Sequence, residues 1–208
     1  MGRIAIPIGI DIDTVKKVFG SKDEGLIEKL LSSDVYRKFD EDHSFKRELY
    51  DIIFNYVPVE NRIAQPAKFF GLIKGDDGRG LKGDWNDYGY ALLVICSCLG
   101  EKFSETNMEY VYGDSWWKIN TLLRESGSSL DLSRMHETRQ IFDTPFEADD
   151  IYINSYSKEE VRQLLNIFVA HDEKTQDHHS DLYYSLKKGL VHCEENNLDL
   201  VVFSFETL

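Results

Sequence analysis

Twelve consecutive residues without a charge, Tyr88 to Leu99, constrain this chain more than any other stretch. A run that is apolar on every face predicts a helix surrounded by other elements, not an amphipathic one lying on a surface. Asp84, Asn86 and Asp87 supply oxygens for its N-cap, and Gly100 is expected to close it in the left-handed conformation. At about 1.5 Å per residue it is far too short to cross a bilayer. The expectation is a buried central helix with the rest of the chain packed around it.

The flanking segments read as an α+β chain. Arg3 to Ile10 is β-branched and alternates with small residues, which predicts a strand. Asp11 or Asp13 then caps a short helix stopped by Gly20, and a second helix carries Leu26, Ile27, Leu30 and Leu31 at helical spacing behind Asp23 and Glu24. A third helix is expected from about Ser44 to Tyr56, ended by Pro58. Glu109 to Tyr112 suggests a short strand, Trp116 to Arg124 a helix stopped by Gly127, and Ser128 to Ile151 a loop with short pieces. Ser157 and Glu160 form a capping box that opens a helix with Val161, Leu164, Leu165 and Phe168 on one face. A further helix runs from Asp181 to about Asn196, and Leu198 to Glu206 reads as a terminal strand. First and last strands with helices between predict a small sheet packed against several helices, in one domain over 1–208.

Charge narrows the function. The chain carries 24 Lys and Arg against 37 Asp and Glu, a net −13. Residues 1–75 hold 12 of each sign, so the whole excess lies beyond them. Such a field repels nucleic acid and anionic membranes and speeds encounter with basic partners. The start has no basic-then-apolar layout of a secretory signal, and Ile6 stands where a myristoylation pattern needs Ser or Thr, so a cytoplasmic location is expected. Three cysteines, Cys96, Cys98 and Cys193, are an odd count and read as small buried hydrophobes.

Gly78-Arg-Gly80-Leu-Lys-Gly83 matches the spacing of a dinucleotide fingerprint and precedes a helix. Asp76, Asp77 and Asp84 would set three carboxylates against the phosphates, and Leu81 stands where a calcium loop started at Asp76 needs its turn glycine. The histidines lack metalloprotease spacing, and neither a cofactor nor a metal site is expected. A third constellation joins aromatic and acidic residues: Asp76, Asp77, Asp84, Trp85 and Asp87 in one group, Glu147, Asp149, Asp150, Tyr152 and Tyr156 in the other. Rigid aromatic rings supply contact area and carboxylates pair with Lys and Arg, which is how a protein plugs a basic active site.

The pattern Ile10-Asp11-Ile12-Asp13, Val15, Phe19, Gly20-Ser21-Lys22-Asp23 and Leu26, with the later Tyr88-Gly89-Tyr90-Ala91-Leu92, resembles an uncharacterised family of bacterial proteins. That resemblance implies no activity. In its acidic, cysteine-poor α+β character the chain is similar to immunity proteins of contact-dependent growth inhibition systems, which implies a role but no residues. The expected function is therefore immunity, with no catalysis: binding and neutralising a cognate, basic toxin domain such as a nuclease. The alternative is an enzyme binding a nucleotide or a metal at the Gly78–Gly83 loop.

Overall fold

The computed structural model describes residues 3–40, 44–62, 80–81, 83–103, 113–130, 142, 151–172 and 181–206. In chain order these form β1 (Arg3–Ile10), α1 (Ile12–Lys16), α2 (Glu24–Leu31), α3 (Asp34–Asp40), α4 (Lys46–Tyr50), a π-turn (Asp51–Asn55), a 3-10 turn (Val59–Asn61) and α5 (Trp85–Leu99). Then follow β2 (Glu101–Lys102), α6 (Gly113–Glu125), β3 (Ile151–Tyr156), α7 (Lys158–Asp172), α8 (Asp181–Glu195) and β4 (Asp199–Glu206). The fold is α+β, and its sheet contains the first and last strands. Two compact units share the chain: a sheet unit of Met1–Ile12 and Leu99–Leu208, and a helical unit of Asp13–Cys98. No described helix is long and apolar enough to cross a membrane.

The sheet has the order β2-β1-β4-β3 with every neighbour antiparallel. β1 and β4 pair along their full length, from Arg3 opposite Glu206 to Ile10 opposite Asp199. On β4 the even positions Leu200 and Val202 face a core built with Tyr156 of β3, Leu123 of α6, Val161, Leu164 and Phe168 of α7, and Leu186 and Leu190 of α8. Its odd positions Val201, Phe203 and Phe205 are buried as well, so the strand is apolar on both sides, as a central strand must be. The capping box forms: Glu160 Oε2 accepts from the Ser157 amide at 2.9 Å, and Ser157 Oγ from the Glu160 amide at 3.3 Å. α8 ends at Glu195, and Asn197 turns the chain with a φ of 54°. Asp199 joins three elements. Its Oδ2 accepts from the Ile12 amide and its Oδ1 from the Lys158 amide, each at 3.0 Å, so one carboxylate serves two helix N-termini.

In the helical unit α5 is buried continuously from Tyr88 to Cys96, as its composition demands. Asp84 caps it: its Oδ1 accepts from the Asn86 amide at 3.0 Å and its carbonyl from the Tyr88 amide at 3.1 Å. The other end departs from expectation, because the left-handed glycines among the described residues are Gly20, Gly80 and Gly127, not Gly100. The chain leaves α5 directly into β2 instead. Phe45 stacks on Tyr90 at 5.9 Å and meets Tyr36 edge-on at 5.3 Å, which ties α3 to α5. α3, absent from the sequence expectation, begins where Ser33 Oγ accepts from the Tyr36 amide at 3.1 Å.

The expected third helix is realised differently. It starts as α4 and widens into a π-turn at Asp51, where the Tyr56 amide reaches back to the Asp51 carbonyl at 2.8 Å. The carbonyls of Ile52 and Ile53 are taken by the amides of Gly20 at 2.8 Å and Lys22 at 2.9 Å. Both donors stand in left-handed backbone, Gly20 at φ 68° and Lys22 at φ 57°. The turn after α1 thus takes carbonyls that an α-helical continuation would use, a docking that no local pattern shows.

Candidate functional site

Of the acidic and aromatic candidates, Asp76, Asp77, Glu147, Asp149 and Asp150 lie outside the described residues. Asp84 is exposed at the cap of α5, and Asp87, one turn on, is half-buried. Trp85 opens α5, described in its backbone alone. Tyr152 is half-buried on β3. Tyr156 is 2 % exposed and packs in a core with residues of α7 and α8, so its ring is a core ring and not an exposed anchor.

The glycine loop also acquires a structural account. At Gly80 a Cβ would overlap the Asn55 carbonyl oxygen, and its φ of 77° disfavours any other residue. At Gly83 a Cβ would collide with the Glu48 carboxylate. The Gly83 amide donates to Tyr88 Oη at 3.0 Å. Both described glycines of the motif therefore press the loop onto the helix of residues 46–55, close approach that a phosphate-binding loop would instead reserve for its ligand. Phe69 to Ile73, the strand such a fingerprint needs, lies outside the described residues.

Beneath that loop is a polar cluster no sequence motif announced. Glu48 and Asp51, three residues apart on one helical face, are both buried, Glu48 at 1 % exposure. Tyr88 Oη donates to Asp51 Oδ2 at 2.8 Å, and Asn55 Nδ2 to Asp51 Oδ1 at 2.7 Å. Arg47 places both Nε (3.0 Å) and Nη2 (2.6 Å) on the same oxygen, Glu48 Oε1. The Glu48 carboxylate in turn pushes the Arg47 guanidinium above its ordinary range, by hydrogen bond first and charge second. Glu48 Oε2 has no hydrogen-bond partner among the described residues. A buried acceptor left open is a cost, and π-turns recur where such costs are borne. The one sequence signal for this cluster was Glu and Asp inside an otherwise apolar helical period.

In the sheet unit, His192 Nε2 pairs with Glu101 Oε2 at 2.5 Å, and Phe103 meets the His192 ring edge-on at 5.5 Å. Phe103 also fills the space where a Cβ on Gly189 would stand. Cys193 lies beside it, buried, its thiol pushed up to about 12 by desolvation and then by the charges of Asp199 and Glu101. Burial alone raises the Cys96 thiol. Thiols held in that state are poor nucleophiles. Among the described residues no group of three or more His, Cys, Asp or Glu is arranged to hold a metal ion.

Over residues 1–204 the chain matches, and so belongs to, a family described as a domain of unknown function (DUF7691). No curated protein and no solved structure matches it.

Proposed function

We propose that this member of the family acts by binding, as an immunity protein that neutralises a cognate basic toxin domain, a nuclease being the kind its charge suits best. The observation that carries the reading is the division of charge between the units. The sheet unit holds 11 Lys and Arg against 22 Asp and Glu, a net −11; the helical unit holds 13 against 15, a net −2. A field that strong on one unit repels polyanions, accelerates encounter with a basic partner and supplies acceptors for its Lys and Arg. Of the two candidate groups, charge favours Glu147, Asp149, Asp150 and Tyr152, which belong to the sheet unit, over the group around Asp84.

The test is a growth assay. The terminal domain encoded by the gene immediately upstream is expressed in a susceptible host with and without this protein. Rescue from toxicity with co-purification of the two chains supports immunity; a domain equally lethal in the protein's presence, with no complex recovered, counts against it.

A further inference from the structure

The helix over 46–55 gathers several costs into ten residues. Its second half runs in the π register, and two carboxylates are buried on it, one with an oxygen unpaired among the described residues. Its last carbonyls are held by a turn that keeps Lys22, a residue with a Cβ, in left-handed backbone. What opposes these costs is the burial of Leu49, Ile52 and Ile53, each fully buried, together with a short set of clamps: the Gly20 and Lys22 amides, the Tyr88 hydroxyl, and the close approach of Gly80 and Gly83.

From this we propose that 46–55 is a gated element, the part of the helical unit that opens first, and that its release uncovers Glu48 and Asp51 as a carboxylate pair hidden in the closed state. Opening hydrates Glu48 Oε2 and lets Lys22 relax, so both costs are relieved in the open form, whereas α5, buried from Tyr88 to Cys96, carries only the neutral Ser97 hydroxyl unpaired among the described residues. Arg47 is already mostly exposed and loses little. The proposal does not depend on which partner the protein binds.

Hydrogen exchange of the full chain, followed by mass spectrometry, reads the gate directly. Amides of 46–56 should exchange about tenfold or more faster than those of 89–96 in the same unit, at a rate insensitive to low denaturant, as local opening requires. Glu48→Met, which removes the open acceptor at similar volume, should slow exchange of 46–56 about fivefold. Lys22→Gly, which relieves the left-handed turn, should slow it about threefold. Protection of 46–56 equal to that of 89–96 overturns the proposal. So does exchange unchanged in both variants; if the Met variant does not fold, the Gly variant alone decides.

Discussion

Among the described residues of the sheet unit the buried carboxylate is Asp199, and both of its oxygens are engaged, one on the Ile12 amide and one on the Lys158 amide. Among the described residues of the helical unit the buried carboxylates are Glu48 and Asp51, and one oxygen of Glu48 has no partner there. The same chemical group is a staple in one unit and a weak point in the other. Burial alone does not decide its sign; the count of donors meeting it does. The surfaces differ too, since the unit of Asp199 carries almost all of the net charge, −11 against −2. A strong field suits recognition, and the nearly neutral unit is where the proposed gate lies.

The substitution expected to do most damage is Gly80→Ala. It forces a Cβ onto the Asn55 carbonyl and a left-handed φ onto alanine, at about 3 kcal/mol or more. Chemical denaturation should show the loss, and hydrogen exchange should place it in the helical unit while β4 stays protected. Asp199→Ala is its counterpart, leaving two amides without their acceptor for about 2–3 kcal/mol, and its effect should fall on β1, α7 and β4. If both variants melt both units equally, the contrast between them fails.

Cys193 sharpens the comparison by pH. Its folded thiol is raised from an ordinary 9.0 to about 12, so the unfolded chain releases that proton first. The contribution is complete below pH 9 and is lost as pH rises toward about 12, at about 1.4 kcal/mol per pH unit inside that window. Cys193→Ala should flatten the alkaline slope of stability; an unchanged slope would show the thiol is not its source. The smallest expected change is Tyr88→Phe, which strips the hydroxyl shared by Asp51 and Gly83 and should cost about 1 kcal/mol in the helical unit alone.

Local patterns made much of the fold legible. The apolar run gave α5, the capping box gave the start of α7, and β-branched alternation gave β1 and β4, because each signal acts over a few residues. β2 and β3 were not expected, although Ile151-Tyr-Ile-Asn-Ser-Tyr has strand character, since six residues beside an acid-rich stretch with Pro145 carry little periodicity. The π-turn could not be read locally at all: it depends on amides of Gly20 and Lys22 some thirty residues earlier. The same holds for Glu48 and Asp51, whose environment is supplied by Gly83 and Tyr88. Acid-rich segments were legible as charge, and charge does not specify which face a partner meets.

The most direct measurement is the association rate of the upstream-encoded toxin domain with two neutralised forms of this protein across a salt series. One form changes Glu147, Asp149 and Asp150 to their amides, and the other changes Asp76, Asp77, Asp84 and Asp87. If the sheet unit's field guides recognition, the first form should associate about tenfold more slowly with a shallower salt dependence, and the second should be nearly unaffected. The reverse pattern, or equal and salt-independent rates for both, would contradict the assignment of recognition to the acidic sheet unit.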